Sequence, residues 1–273
     1  MKVLSSIKLT QSEFDGLRSL VHRHTGISLS DAKVELVKRR FAPRLKELNL
    51  DSFSSYIKRI EDGDTDELLR FTDAITTNLT SFFRENHHFD YMKRELLPKL
   101  LKDKMVSKRV RFWSAGCSTG QEPYTMAMLL REAIPMSNGW DIKILATDID
   151  RTVLAKARMG LYTQSDLDKM PEGVARKWFT KHSDKFQVKD ELRQMITFNQ
   201  LNLLKTWPVK GPFEAIFCRN VFIYFDKPTQ KSIVQKFARV QNPGDHLFIG
   251  HSESITDMID DYKLIGQTTY VRQ

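Results

Sequence analysis

Hydrophobic positions in the first 75 residues recur at helical spacing and predict a small bundle of four helices. The first helix is expected to begin at Thr10 or Ser12 and to end at Gly26, and the second to begin at Ser30 or Asp31. In the second helix, apolar residues share one stripe and basic residues share its flank. The stripe comprises Val34, Val37, Phe41, Leu45 and Leu48, and the flank comprises Lys33, Arg40 and Arg44.

Four further predictions concern the rest of this helical region and the segment that follows it. Pro43 lacks a backbone N–H, so the second helix is expected to kink or divide near Arg39. Asp51 is expected to cap the third helix, and an acidic turn at 61–64 leads to a fourth helix over Glu67–Ile75. Residues 76–107 are expected to form a linker and a connecting helix rich in lysine and arginine.

From Arg109 onward, apolar runs of strand length alternate with helical patterns. This alternation predicts an α/β fold with a doubly wound, mostly parallel sheet and helices on both faces. Strands are expected at 109–115, 142–147, 213–218 and 247–250, and a closing pair or edge strand at 264–272. Ligands of such sheets bind outside the carboxyl ends of the strands. The residues expected at those ends are Glu122, Asp148, Arg219, Asn220 and His251.

Residues 160–204 interrupt the alternation. A helix is predicted over Pro171–Phe179, and the apolar runs 186–188 and 195–198 are predicted to pair with each other as antiparallel strands. We therefore expect a small antiparallel β-subdomain inserted at about 180–200. The predicted domains are an all-α domain at 1–75, a linker with a connecting helix at 76–107, and a sheet domain at 108–273.

Composition narrows the class of protein. The 273 residues are 41% hydrophobic and 28% charged, which is typical of a globular chain. Because no apolar run is long enough to span a bilayer and no signal peptide is recognisable, we expect a cytoplasmic protein without direct membrane insertion. The net charge of +9 favours an acidic partner, either nucleic acid or an acidic protein surface. Cys117 and Cys218 lie far apart and indicate neither a disulfide nor a zinc site.

A strand, a tight glycine turn and a helix follow one another at 109–122. Gly116 and Gly120 allow the backbone to approach a ligand, and the helix N-terminus that follows favours a nucleotide-like molecule. Asp148, at the end of the next strand, can accept hydrogen bonds from both hydroxyls of a ribose. These features leave NAD and S-adenosylmethionine as the two candidate ligands. Glu122 would repel a pyrophosphate but pair with an ammonium group, which favours S-adenosylmethionine.

Two other kinds of chemistry have little support in the sequence. His87 and His88 cannot both face one side of a helix, and no carboxylate stands at ligand spacing, so we expect no metal site. A thiol enzyme built on Cys117 and His251 has no support beyond the residue types, because nothing in the sequence sets the distance between them.

Five motifs resemble, in their order and spacing, those of the CheR family, the chemoreceptor glutamate methyltransferases of bacterial chemotaxis. They are T-T-N-L-T-S-F-F-R-E (76–85), S-A-G-C-S-T-G-Q-E-P-Y (114–124), A-T-D-I-D (146–150), F-C-R-N-V-F-I-Y-F (217–225) and G-H-S-E (250–253). The first and fourth are highly specific, and the resemblance runs nearly to the end of the chain. Cys117 stands where some members have alanine, which is a harmless change in a turn of small residues.

The resemblance implies a class I S-adenosylmethionine-dependent methyltransferase with an N-terminal all-α domain and an inserted β-subdomain. It implies methyl transfer to glutamate side chains on the acidic cytoplasmic helices of chemoreceptors, with S-adenosylhomocysteine as the other product. We expect a monomer that does not act on nucleic acid. The residues implied to bind the donor are Asn78, Thr80, Arg84, Glu122, Asp148, Asn202, Leu203, Arg219 and Asn220, and those implied to lie nearest the methyl group are Arg84 and Tyr224.

The chemistry of a glutamate acceptor agrees with these residues. A glutamate has a reference pKa of about 4.3, so at neutral pH it is already an ionised nucleophile and needs no general base. The hypothesis is therefore that Arg84 orients the carboxylate and that the Tyr224 hydroxyl positions it or the methyl group. The basic flank of the second helix, which comprises Lys33, Arg40 and Arg44, is expected to guide the acidic receptor helices.

The stretch Lys181–Glu191 departs from some members of the family. Members that tether to a pentapeptide at the receptor C-terminus have a longer, glycine-rich loop there, whereas this stretch is short and has no glycine. We therefore expect weak or no pentapeptide binding. Two alternatives have less support: a non-catalytic module that binds the donor or its product and docks on receptors, and a nucleic-acid methyltransferase. The second would need a motif such as N-P-P-Y where this chain has R-N-V-F at 219–222.

Overall fold

The computed structural model describes residues 7–76, 78–134, 138–256, 258 and 260–273. The chain divides into two compact units. The first unit comprises Met1–Thr77 with the short segment Tyr224–Asp226, and the second comprises Asn78–Ile223 with Lys227–Gln273. No helix of the described residues is long and apolar enough to cross a membrane.

The first unit contains the four predicted helices: α1 (Gln11–Thr25), α2 (Val34–Glu47), α3 (Phe53–Glu61) and α4 (Thr65–Ile75). A capping box between Thr10 and Glu13 begins α1. The cap of α3 is Ser52, whose hydroxyl accepts from Ser55 N, so the prediction of Asp51 as the cap is wrong. The apolar residues at helical spacing form one buried core of this unit.

Pro43 lies within an undivided α2. The sequence predicted a kink or a division near Arg39, and the division does not occur. The apolar stripe continues on both sides of the proline, because Val37, Phe41 and Leu45 are all buried at 2% exposure or less. Packing of this face holds the helix together across the missing N–H donor.

The second unit begins with a long helical segment and continues as alternating strands and helices. Its elements are α5 (His87–Tyr91), a π-helical turn (Met92–Leu96), α6 (Leu97–Asp103), β1 (Arg109–Ala115), α7 (Gln121–Ala133), β2 (Asp141–Asp148), α8 (Arg151–Met159), β3 (Leu161–Tyr162), α9 (Gln164–Leu167), α10 (Val174–Trp178), β4 (Phe179–His182), β5 (Lys185–Val188), α11 (Asp190–Arg193), β6 (Ile196–Gln200), β7 (Ala215–Cys218), α12 (Lys227–Ala238), β8 (His246–Ile249), β9 (Tyr262–Gly266) and β10 (Thr269–Arg272).

Seven of these strands form one mixed sheet in the order β6-β2-β1-β7-β8-β10-β9. The first five strands in this order are parallel. Strands β10 and β9 close the sheet as an antiparallel pair, where the sequence predicted a closing pair or an edge strand. Strands β7 and β8 are buried along their whole length, as expected of central parallel strands. Ser114 of β1 pairs with Ala146 of β2 and with Phe217 of β7, so the carboxyl ends of these strands lie side by side.

The inserted antiparallel sheet differs from its prediction. It has the order β3-β5-β4 and is built from Leu161–Tyr162, Phe179–His182 and Lys185–Val188. The run 195–198 does not pair with 186–188; it belongs to β6, which joins the large sheet parallel to β2. A short apolar run is compatible with a strand of either sheet, and this run pairs with the edge of β2 that β1 leaves free.

Candidate active site

The turn after β1 is shaped by close packing. Gly116 and Gly120 have φ of 91° and 97°, in the left-handed region that favours glycine. A Cβ atom on Gly116 would lie 2.4 Å from Val221 Cγ2, and one on Gly120 would lie 2.9 Å from Ala157 Cβ. The sequence indicated glycine for the approach of a ligand, and the structure shows that the protein's own packing requires it as well.

Asp148 ends β2 beside this turn and is 9% exposed. Its Oδ2 accepts from Ser118 N (2.8 Å) and its Oδ1 from Asp150 N (3.0 Å). Burial raises the pKa of Asp148 to about 6, against the opposing effect of these backbone N–H groups. Asn78 joins the same corner, because its Nδ2 donates to Asp150 Oδ2 (2.7 Å) and its carbonyl oxygen accepts from the Ser118 hydroxyl (3.2 Å). Each oxygen of the Asp148 carboxylate keeps acceptor capacity for the hydroxyls of a ribose.

Glu122 and Arg219 form a second, oppositely charged corner. Glu122 Oε1 accepts from the Ser114 hydroxyl (2.6 Å), and Glu122 Oε2 lies 3.7 Å from Arg219 Nε. Burial raises the pKa of Glu122, and the charge of Arg219 opposes that rise. Within the described part of the chain, the buried Nε and Nη1 atoms of Arg219 have no hydrogen-bond partner. The unpaired N–H groups of the buried Arg219 guanidinium suit the carboxylate of a methionine moiety, and the Glu122 carboxylate suits its ammonium group.

Arg84 lies in a turn with unusual backbone geometry. The flanking residues Phe83 and Glu85 have φ of 54° and 53°, a conformation that is costly for residues with a side chain. Arg84 Nη1 donates to the Leu79 carbonyl oxygen (2.7 Å), and the Arg84 carbonyl oxygen accepts from Arg219 Nη2. The turn is therefore fixed at both its side chain and its backbone, and it couples Arg84 to Arg219.

Glu85 is a central residue of the site that sequence reasoning missed. Its carboxylate accepts from Asn220 Nδ2 (3.1 Å) and from His251 Nδ1 (2.8 Å), and it lies 3.5 Å from Arg219 Nη2. Burial would raise its pKa, but the bonds from His251 and Asn220 and the charge of Arg219 lower the pKa to about 2. The only signal in the sequence was its place beside Arg84 in a highly specific motif.

Glu85 also bears on the question of a metal. The sequence predicted that no carboxylate stands at ligand spacing from His87 and His88. This prediction is wrong, because ligand atoms of Glu85, His87 and His88 lie within 4.8 Å of one another. The carboxylate reaches the histidines from the turn before α5. It is already bound by His251 and Asn220, and the Arg219 guanidinium lies 3.5 Å away. A cation would have to displace these contacts, so we assign no metal here.

The end of β6 brings two more predicted donor-binding residues to the strand ends. Gln200 is in register with Asp148, and Leu201 N donates to the Asp148 carbonyl oxygen (3.0 Å). Asn202 and Leu203 follow directly, at the same end of the sheet as Asp148. The parallel pairing of β6, which the sequence did not predict, is what places them there. Thr80 is half-buried in the segment after Asn78.

The remaining predicted residues belong to the first unit. The Tyr224 carbonyl oxygen accepts from Ser28 N (2.9 Å). Lys33 is half-buried before α2. Arg40 Nη1 donates to the Thr76 carbonyl oxygen (2.9 Å), and Arg44 is ion-paired with Glu67. Both arginines therefore have structural partners that the sequence did not reveal, and their role in docking stays a prediction.

Both cysteines are buried, and burial raises the pKa of each thiol. A raised pKa keeps a thiol protonated, which is the opposite of what a nucleophilic cysteine requires. His251 donates to Glu85 instead. The geometry thus gives no support to a thiol enzyme built on Cys117.

Parallel strands that end at a buried acid suited to ribose hydroxyls and at a charge pair suited to an amino acid are the arrangement expected of an S-adenosylmethionine-binding methyltransferase domain. Family models agree: "CheR methyltransferase, SAM binding domain" matches residues 78–271, and "CheR methyltransferase, all-alpha domain" matches residues 12–76. The chain belongs to the CheR methyltransferase family, and its cofactor is S-adenosylmethionine. The resemblance, the fold class and the cofactor predicted from the sequence are confirmed.

Named relatives cover nearly the whole chain. A probable chemotaxis protein methyltransferase of Rhizobium etli is 42% identical over 92% of this chain and 96% of its own. Chemotaxis protein methyltransferase 2 of Pseudomonas aeruginosa is 40% identical over 96% and 93%, and the chemotaxis protein methyltransferase of Salmonella typhimurium is 38% identical over 99% and 93%. A solved magnesium protoporphyrin IX methyltransferase from Synechocystis PCC 6803 is similar over 72% of this chain and 87% of its own, at 13% identity and a TM-score of 0.38. A likeness that weak adds nothing to the argument.

Proposed function

We propose that this protein transfers the methyl group of S-adenosylmethionine to glutamate side chains on the acidic cytoplasmic helices of chemoreceptors. The names of its relatives support a role in chemotaxis. The observation that carries the proposal is the pair of the half-buried Glu122 and the buried Arg219, coupled through the Arg84 carbonyl oxygen to the turn that presents Arg84. This coupling links the amino-acid end of the donor to a cation suited to an incoming carboxylate.

The donor supplies an electrophilic methyl group, and the protein holds the two reactants. Asp148 and Asn78 bind the ribose end, Glu122 and Arg219 bind the amino-acid end, and Arg84 orients the ionised glutamate. The resemblance adds the Tyr224 hydroxyl as a second group that positions the carboxylate or the methyl. Attack joins an anion to a cation and gives neutral products, so alignment with water excluded is the main contribution available to the protein. No general base is needed.

The direct test uses a labelled methyl donor and receptor cytoplasmic fragments with either Glu or Gln at the target positions. The proposal predicts a base-labile label on the Glu form only, since an ester forms on a carboxylate and not on an amide. Labelling of both forms, or a label that resists base, would contradict glutamate as the acceptor. Binding of the donor without any labelling would favour the non-catalytic docking module.

Donor affinity is expected to fall as the pH is lowered through about 6. Burial places the pKa of Asp148 at about 6, compared with an ordinary value of 3.8, so acid protonates a group that must accept from the ribose hydroxyls. Binding of S-adenosylhomocysteine can be measured by calorimetry at a series of pH values. Asp148→Asn should bind weakly throughout and lack this titration step. Retention of the same step in Asp148→Asn would assign it to another group.

The hairpin of the small sheet supports the proposal that methylation does not depend on binding the receptor pentapeptide. His182 pairs with Lys185, so only Ser183 and Asp184 remain in the turn between β4 and β5. A turn this short offers little backbone for capturing a peptide. Calorimetry with the pentapeptide should show no binding at micromolar concentrations, and its removal from a receptor fragment should leave the methylation rate unchanged. Micromolar affinity would contradict this prediction.

A further inference from the structure

Glu85 lies where three separated segments of the second unit meet. Its Oε1 atom accepts from Asn220 Nδ2 and His251 Nδ1, and its Oε2 atom accepts from the His251 backbone N–H (3.2 Å) and lies 3.5 Å from Arg219 Nη2. The carboxylate therefore joins the turn that carries Arg84 to the residues following β7 and β8. Its side chain is only 10% exposed, so bulk water screens these contacts little.

The contacts of Arg219 show what this arrangement leaves for a ligand. Nη2 donates to the Arg84 carbonyl oxygen on the side of Glu85, whereas Nε and Nη1 are buried without a hydrogen-bond partner among the described residues. The guanidinium also packs over the Phe89 ring, at 5.3 Å from its centroid. One end of the cation is thus held by the protein, and the unpaired N–H groups suit a bound carboxylate.

We propose that Glu85 is a positioning residue that fixes Arg219 for the α-carboxylate of the methyl donor and of its product. Glu85 acts through Arg219 and touches neither reactant. The Glu85 carboxylate also accepts from the side-chain amide of Asn220. The backbone of Asn220 has a φ of 58°, in the left-handed region. The inference rests on the donor assignment within the proposed function and concerns only the amino-acid end of the ligand.

The test compares two ligands on the full chain. S-adenosylhomocysteine carries the amino acid, whereas 5′-methylthioadenosine has the nucleoside and the sulfur but lacks the amino acid. Glu85→Gln keeps the size of the side chain and removes its charge. We expect it to weaken S-adenosylhomocysteine by about tenfold, the usual effect of losing one charge-assisted contact, and to change methylthioadenosine by less than about twofold. Both affinities are measured by calorimetry.

Three further variants separate a positioning role from general structural damage. Glu95→Gln changes an exposed carboxylate in the π-helical turn and should leave both affinities unchanged. Arg219→Ala should reproduce the selective loss of S-adenosylhomocysteine affinity. Adding Glu85→Gln to it should not change the ratio of the two affinities further, because the effects of substituting residues that act as one unit do not add.

Several outcomes would overturn the proposal. Equal weakening of both ligands by Glu85→Gln would indicate a general structural effect, and unchanged binding or full additivity with Arg219→Ala would remove the link between the two residues. A wild-type protein that binds neither ligand would refute the donor assignment together with this inference. The wild-type protein could also bind S-adenosylhomocysteine but methylate no receptor. A selective loss of S-adenosylhomocysteine affinity in Glu85→Gln would then support the inference while refuting the proposed reaction.

Discussion

Replacing Arg84 with alanine is expected to lower methyl transfer by on the order of 10³-fold, which is the effect of removing a preorganised charged group from an active site. The proposed role of Arg84 is to align an ionised carboxylate, and an alanine leaves that anion without its partner. The turn is also held against Arg219 by a backbone carbonyl, which the substitution does not remove. The loss should therefore fall mainly on kcat, measured with receptor fragments at saturating donor.

Two comparisons make this result specific. Arg94→Ala removes an exposed arginine in the π-helical turn and should retain full activity. Tyr224→Phe should reduce turnover by less than Arg84→Ala, because it removes a hydroxyl and no charge. If donor binding and turnover both survive in Arg84→Ala, the assignment of this residue is wrong.

The elements that the sequence predicted well are those in which a local pattern decides the structure. The stripe in α2 and the fully apolar runs of β7 and β8 identify their faces without knowledge of any partner. Motif residues near strand ends, such as Asp148 and Glu122, could likewise be assigned to one edge of the sheet, because parallel strands bring their carboxyl ends together.

What the sequence could not predict depends on contacts between distant residues. Glu85 binds Asn220 and His251 across 135 and 166 positions of the chain, and no periodicity encodes such a pairing. The partner of the run 195–198 was misassigned because a short strand shows its apolar character but not the edge that it joins. A helical projection placed Arg44 on a flank of α2, but it could not show that Glu67 of α4 lies against it.

Replacing Arg44 with methionine is expected to destabilise the protein by about 3 kcal/mol, because it leaves the buried carboxylate of Glu67 without its main partner. Glu67 is 3% exposed, and Arg44 Nε lies 3.1 Å from both of its carboxylate oxygens. The Tyr56 hydroxyl (3.2 Å) and Arg70 (3.7 Å) would remain as its partners. The measurement is urea unfolding of the full chain, followed by circular dichroism of the helices.

The pH dependence and a matched control decide whether Glu67 is the cause. Burial would raise the pKa of Glu67, but Arg44 and the Tyr56 hydroxyl outweigh it and lower the pKa below 4.5, so this ion pair stabilises the fold above pH 4.5 and its contribution is lost as the pH falls through the folded-state value. The difference between wild type and Arg44→Met should therefore shrink in acid. Arg39→Met, an exposed change on the same helix, should cost less than about 0.5 kcal/mol. Equal losses of stability from both variants, or a stability difference that persists in acid, would contradict the assignment to Glu67.

If the pair of Arg44 and Glu67 stabilises the fold in this way, reduced receptor methylation after charge reversal at Arg44 reports unfolding of α2 and α4. The docking role of the basic flank then has to be tested at Lys33.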